Sequence, residues 1–356
     1  MVKFLAQTLI PDKLSFALRN VKIKGAAVHR IGCNLRCNLK LTPSHLFPIL
    51  LPSTIKFYHI EEVAMFYEVE IPQQKTGQKK VSALVVLNPA ESRRLLAKAA
   101  VKLPEVQNAW KNGMIIISRG ITNAFVTEEL FGISVKPKAG QTVGMVCNGI
   151  TNANSGPPPC TWHVIRQGKV VEGADSNVEI LNFTSDDVFI KGANAVDNDG
   201  NAGIYVASVK AGSIGVAWPI VTPRGCHLII PVSLEKLIPS VIEASKHTGL
   251  YHFKYSTGLP VKLIPLPLAT VITEVQAFAI LAGVRAYPIG SGGVGGSEGS
   301  VHLSLAGDEE SVERAFELAK SVKGEPPVDL PETFYLSTAA DYNYDALAQL
   351  ATLKGI

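Results

Sequence analysis

The stretch Phe189-Ile190-Lys191-Gly192-Ala193-Asn194-Ala195-Val196-Asp197-Asn198-Asp199-Gly200-Asn201-Ala202-Gly203 decides how the chain is read. An apolar strand ends at Ile190. A polar loop follows with Asn194, Asp197 and Asp199, and Asp199-Gly200 marks a turn. Ile204–Val209 then reads as a second strand, followed by Lys210-Ala211-Gly212-Ser213-Ile214-Gly215.

Upstream, residues 66–72 and 81–87 read as strands joined by a polar turn at Gln73–Lys80. Asn88-Pro89-Ala90-Glu91 predicts a capped helix running to about Leu103. Gly113–Ser118 is a short buried strand, then the loop Arg119–Asn123, then a helix over Ala124–Leu130. Gly120, Thr122 and Asn123 in that loop are candidate ligands for a phosphate or carboxylate, because a helix start offers free N–H groups. A plain capped helix start is the competing reading. Residues 143–147 are apolar. Asn148–Cys160, with Pro157-Pro158-Pro159, reads as a thirteen-residue loop. His163 stands in an alternating segment, where a packed or surface role is the ordinary one.

Downstream, Leu228–Pro231 is a strand, and Ser233–Lys246 reads as one helix with a serine cap. Residues 272–286 read as a helix leading to a strand. Gly290–Gly299 holds six glycines in ten residues, Ser300–Leu305 alternates as a strand, and Glu309–Val322 is a strongly amphipathic helix. The predicted architecture is α/β: a Rossmann-like open sheet flanked by helices, with a small C-terminal α+β module, ferredoxin-like in element order. The expected division is an extension over 1–64, the core over 65–265, the module over 266–326 and a tail over 327–356.

Gly192-Ala193-Asn194-Ala195-Val196-Asp197-x-Asp199-Gly200 resembles a glycine-alanine-aspartate motif of ribose-5-phosphate isomerase and of initiation-factor 2B-like proteins. Ile115–Asn123 is similar in position to their early phosphate loop. The resemblance covers roughly residues 81–235 and is to the superfamily of phosphosugar isomerases and coenzyme A transferases. With it, Gly120, Thr122, Asn123, Gly192, Asn194, Gly212 and Ser213 are candidate ligand-binding residues, and Asp197 or Asp199 could serve as a base, or neither. The sequence departs from the isomerases at Asn194, which replaces an aspartate and cannot act as a base, and in having only Lys210 and Gly212-Ser213-x-Gly215 where they carry a lysine and a glycine run. Coenzyme A transferases use a glutamate nucleophile, so Glu298 is a candidate, with Gly293 and Gly296 able to approach a ligand closely. Both acids could equally serve to hold a turn.

Composition narrows the field. The chain has 356 residues, 47% hydrophobic and 18% charged, which excludes a disordered polyelectrolyte. Mean hydropathy is +0.20, yet no apolar run reaches the ~18 residues of a membrane span. The formal charge of +4 is uneven. Residues 1–64 hold nine Lys/Arg and three acids, leaving 25 basic and 27 acidic side chains beyond them. The globular part therefore carries no nucleic-acid signature. Three readings of 1–64 stay open: a transit peptide, a small subdomain, or upstream sequence with the natural start at Met65. Within it Gly32-Cys33-Asn34-Leu35-Arg36-Cys37 resembles the opening of the radical S-adenosylmethionine signature, but Lys40 stands where the third cysteine would fall. Cys147, Cys160 and Cys226 have no metal-ligand spacing, and five cysteines without a secretory signal point to reduced thiols in a cytoplasm.

The expectation is a protein that binds an anionic, phosphorylated or coenzyme A-linked metabolite and carries out isomerase- or transferase-type chemistry. The rival is a non-catalytic metabolite sensor or oligomeric scaffold. No metal and no obligatory cofactor can be read; coenzyme A is compatible, and so is a homo-oligomer. Neither a nucleic acid nor a membrane is expected as partner.

Overall fold

The computed structural model describes residues 71, 77–161 and 163–330. The chain divides into Met1–Ile60 and Glu61–Ile356, and every element below belongs to the second unit. The expected strand at 66–72, apart from Ile71, the Cys33/Cys37 motif and the C-terminal tail beyond Leu330 lie outside the described residues.

The protein is α/β, built on a mixed six-stranded sheet. Its strands are β2 (Met114–Ile117), β5 (Val164–Arg166), β6 (Lys169–Val170), β7 (Val188–Ile190), β10 (His227–Pro231) and β12 (Thr270–Ile272). They lie in the order β12-β10-β7-β2-β5-β6. β12, β10, β7 and β2 run parallel, while β5 is antiparallel to β2, and β6 to β5. The central strands are apolar on both faces, and every residue of β2 and β7 is buried. That is what a parallel strand covered from both sides requires.

Helices cover the sheet. α1 (Pro89–Ala100) starts at a capping box: Asn88 Oδ1 accepts from the Ala90 and Glu91 N–H groups, and Glu91 Oε2 accepts from Asn88 N–H. α2 (Pro104–Asn112) leads into β2, and α3 (Ile121–Phe131) follows it. α1 packs against α3 and against α7 (Glu274–Ala282). Leu95, Leu96, Ile115, Phe125, Ile229 and Phe278 belong to one buried cluster.

A second, three-stranded antiparallel sheet has the order β1-β14-β13, from β1 (Lys80–Leu87), β13 (Arg285–Ser291) and β14 (Val301–Asp308). All eight residues of β1 pair with β14. The strand-helix pattern at the C-terminal end thus takes its third strand from the start of the described chain, far outside residues 266–326. α8 (Glu309–Ser321), capped by Asp308, packs on β1 and β14, and α7 packs on β13.

Three segments differ from expectation. The stretch Asn148–Cys160 is not all loop: β4 (Ile150–Ala153) pairs with β3 (Gly144–Cys147) across an Asn148-Gly149 turn. Both turn residues have positive φ, the conformation that such two-residue hairpins need. Ser233–Lys246 is not one helix. A 3-10 turn spans Leu234–Lys236, and α6 covers only Val241–Lys246, because Pro239 lacks an N–H and intervenes. Between β9 (Ala202–Val206) and β10 lies α5 (Gly212–Arg224), which carries Pro219 and Pro223 inside it. Two internal prolines and a weakly amphipathic run hide it from a reading by periodicity.

Candidate functional site

The carboxyl ends of the four parallel strands carry, in spatial order, Glu274 after β12, Glu235 and Lys236 after β10, Lys191 after β7, and Ser118 and Arg119 after β2. Open α/β sheets place ligands at such an edge.

Lys191 is the first residue past β7. Its ammonium donates to Ser118 Oγ at 3.3 Å and to Ser213 Oγ at 3.2 Å, and the two hydroxyls are 3.5 Å apart. Burial lowers its pKa from the ordinary 10.5 to about 8. Lys236 donates to the Ala193 carbonyl at 2.9 Å. Burial, with the nearby Arg93, lowers it to about 8 against the opposing pull of Glu235 and Glu274. Arg119 also lies below its ordinary pKa through burial. It reaches only the Gly140 carbonyl at 3.4 Å, and its Nε is buried without a partner. Among the described residues, none of these three cations lies within ion-pair distance of a carboxylate.

Two helix starts face this region. α3 begins three residues after Ser118, at Ile121, with Gly120 at the N-cap position and no side-chain cap. Thr122 lies against Gly192, whose Cβ position is 4.0 Å from the Thr122 Cβ. Asn123 Nδ2 donates to the Ser118 and Ile190 carbonyls at 2.7 and 3.1 Å, tying the ends of β2 and β7 together, while its Oδ1 is buried without a partner. α5 also lacks a side-chain cap. It starts through Ala211 and Gly212, both left-handed, and a side chain at Gly215 would collide with the Lys210 carbonyl. That tight turn puts Ser213 in the first turn of α5.

His163 lies beside the same strand end. Its Nδ1 is 3.2 Å from the Ile117 carbonyl, which can only accept, so Nδ1 carries the proton. Nε2 is buried without a partner. Burial lowers its pKa, the Ile117 bond opposes this, and Arg119 adds to the lowering.

The residues expected from sequence separate into three groups. Gly120, Thr122, Asn123, Gly192 and Ser213 come together around the ends of β2 and β7, with Gly212 beside Ser213. Asn194 and Asp197 are held in the fold instead. Asn194 Oδ1 accepts from Tyr205 N–H at 3.0 Å. Asp197 is fully buried, and its carboxylate accepts from Asp199 N–H, Asn201 N–H, Asn201 Nδ2 and Val241 N–H. It clamps the β8 (Ala195–Val196) to β9 turn to the start of α6, so the base role expected of Asp197 gives way to a structural one. Asp199 is exposed at that turn.

The third group is the β13–β14 hairpin tip. Gly293, Gly296 and Glu298 are exposed there. Glu298 Oε2 accepts from Gly296 N–H at 2.8 Å, and loop N–H groups hold its pKa below the ordinary value. The hairpin base meets the sheet edge at Gly299, whose Cβ position is 2.8 Å from Glu235 Oε2.

Lys191, Lys236 and Arg119 join the candidate site only through the fold, and sequence motifs do not single them out. The available signal was a basic residue directly after an apolar strand run, as in Phe189-Ile190-Lys191. A cavity of about 450 Å³ lined by Arg94, Glu128, Glu129, Lys138 and Glu325 lies by the far end of α3, and its charged groups pair with one another. No cluster of three metal-ligating side chains occurs among the described residues. No protein-family model, curated protein or solved structure matches the chain.

Proposed function

We propose that the chain binds a small anionic metabolite, phosphorylated or coenzyme A-linked, at the carboxyl edge of the sheet, and that the site supports isomerase- or transferase-type chemistry. One observation carries this reading: Arg119, Lys191 and Lys236 are partly buried at consecutive strand ends with no carboxylate in ion-pair contact. Partly desolvated cations are costly when unpaired, and an anion would relieve all three. The first turns of α3 and α5 add N–H donors of the same polarity.

The six-stranded sheet is read here as a Rossmann-like open sheet, and the β1-β14-β13 layer with α7 and α8 as ferredoxin-like. Kinship with the phosphosugar isomerase and coenzyme A transferase superfamily rests on the Gly192–Gly200 motif. A cytoplasmic setting fits the free thiols of Cys147, Cys160 and Cys226, and no described helix is long and apolar enough to cross a membrane. We include no nucleic-acid or membrane partner.

A second reading, a non-catalytic sensor, is favoured by Asp197. The carboxylate expected to move a proton is instead committed to holding a turn.

Thermal shift tests the shared premise. Inorganic phosphate, ribose 5-phosphate and coenzyme A should each be tried against neutral counterparts. At least one anion should raise Tm, and Lys191→Ala, Lys236→Ala and Arg119→Ala should each weaken that rise. No stabilisation by any anion would refute the proposal.

A further inference from the structure

We propose that Ser213 is the nucleophile of an acyl-transfer site for esters or thioesters bearing an anionic group, with Lys191 as its base and Ser118 as a positioning residue. The anionic group is assigned to Arg119 and Lys236, so the substrate class rests on the anion-binding reading; the nucleophile does not.

The argument starts from contact. Serine attacks a carbonyl only when a base within hydrogen-bond reach removes its proton. Lys191 Nζ is 3.2 Å from Ser213 Oγ, and Ser118 Oγ holds the same nitrogen at 3.3 Å. A lysine serves as a base only when neutral. Here burial has brought its pKa to about 8, so an appreciable fraction is neutral in the physiological range. No carboxylate sits on Lys191 to keep it charged.

Access and polarity separate the two serines. Ser118 is buried at 7% exposure, whereas Ser213 is only partly buried, in the first turn of a thirteen-residue helix. Gly215 N–H is taken by the Ala211 carbonyl. The N–H groups of Gly212, Ser213 and Ile214 precede the first intrahelical donors and can face the oxyanion of a tetrahedral intermediate. The left-handed Ala211 is a non-glycine residue in a conformation that surrounding structure must enforce, and such positions cluster at functional sites.

The step balances without an oxidant or a metal. Neutral Lys191 accepts the Ser213 hydroxyl proton as Oγ bonds to the acyl carbon. The carbon–oxygen or carbon–sulfur bond to the leaving group breaks, and the Lys191 proton passes to the departing alcohol or thiol. Water then attacks the acyl-serine, giving its proton to Lys191. The acid is released as the ester bond breaks, and the proton on Lys191 returns to Ser213 Oγ.

The full-length protein treated with a fluorophosphonate tests this. The Ser213 Oγ–P bond forms, fluoride leaves and the proton goes to Lys191. Trypsin places the two serines in different peptides, 112–119 and 211–224. The expected adduct is on 211–224 at Ser213, with a labelling rate that rises with pH through about 8. Lys191→Ala should slow labelling by about 100-fold or more. Lys191→Arg, which keeps the charge but cannot deprotonate, should do the same. Ser118→Ala should slow it less and move the pH midpoint.

No adduct, an adduct on 112–119, or a rate indifferent to both Lys191 variants and to pH would overturn the assignment. The wild-type pH profile stands even if a variant fails to fold. A separate thermal shift with inorganic phosphate distinguishes the two proposals. Stabilisation without labelling leaves the anion site and removes the nucleophile; labelling without stabilisation does the reverse.

Discussion

Lys191 and Lys236 each hold a charge that folding makes harder to keep. Their folded pKa is about 8 against an ordinary 10.5. Between those values the unfolded chain binds more protons than the folded one, so stability rises with pH across that window. Below pH 8 both states are protonated and the cost is present in full. Lys191→Met removes one such cost. Its Tm should exceed the wild-type value at pH 7, and the gap should shrink as pH approaches 10; an equal Tm at both pH values would refute the assignment of strain to Lys191. Asp197 is the opposite case, a charge the fold uses. Asp197→Ala would strand the buried Val241 N–H and free the loop N–H groups of Asp199 and Asn201. Each unsatisfied buried donor costs about 1–3 kcal/mol, so a loss of about 2–4 kcal/mol is expected in urea unfolding. Asp197→Asn should recover part of it, because an amide keeps one acceptor oxygen. Full stability in Asp197→Ala would show that the clamp contributes nothing.

At the level of elements, Arg94 joins three segments. From α1 it reaches Glu128 at 2.5 Å and Glu129 at 2.9 Å, both on α3, and Glu325 at 2.8 Å, just past α8. Lys138 adds a second cation to Glu128 at 3.2 Å. Burial alone would lower the Arg94 pKa, but the three carboxylates outweigh it and raise it; Glu325 is held below its ordinary value by the same pairing. Arg94→Ala leaves three partly buried carboxylates short of their cation, a change that costs about 3–5 kcal/mol in comparable buried networks and less with this degree of solvent access. A loss of about 2–4 kcal/mol in chemical denaturation is expected, and Arg94→Lys should restore only part, since one ammonium cannot serve three carboxylates in a fork. Elements with a strong local code were legible in the sequence: the unbroken apolar run of β2, the Asn88 cap, and the period of α8. α5 was not, because its prolines oppose helix by local propensity and tertiary packing overrides them. The partnering of β1 with β14 was not legible either, since their pairing is set by tertiary context rather than by any neighbour in sequence. The site divides the same way. The Gly192–Gly200 stretch is legible as a polar loop whose acids could either move a proton or hold a turn, and the hydrogen bonds that Asp197 accepts, one of them from the distant Val241 N–H, put it in the second role. The sequence offers for Lys191 only its place directly after an apolar strand run; its contacts with Ser118 and Ser213, remote in sequence, arise in the fold.

For the molecule as a whole, the two sheets share one interior. Leu87 on β1 and Val301, Leu303 and Leu305 on β14 are buried in the same cluster as Ile229 and Ile230 on β10 and Ile116 on β2. α1 and α7 lie within that cluster, packing on each other while α1 also contacts β10 and α7 contacts β13. Separating the layers would expose Leu95, Leu96 and Phe278, each at 0% exposure. Fully burying such a side chain is worth about 1.5–3 kcal/mol, so a state with one layer folded and the other open would lose much of the support of both. The described layers should therefore open as one cooperative unit. Hydrogen exchange of the full chain in mild denaturant measures this directly: the amides of Leu303 and Leu305 on β14 and of Ile229 and Ile230 on β10 should report the same opening free energy and the same dependence on denaturant. If the β14 amides exchanged through a separate, lower-energy opening, the three-stranded layer would be an independent unit, and the site at the carboxyl edge could retain its geometry without it. If they open together, a destabilising change as remote as Arg94→Ala should raise exchange at the Lys191 and Gly215 amides, bonded to the Ile229 and Ala211 carbonyls, as much as at β14, linking the stability of both layers to the integrity of the candidate site.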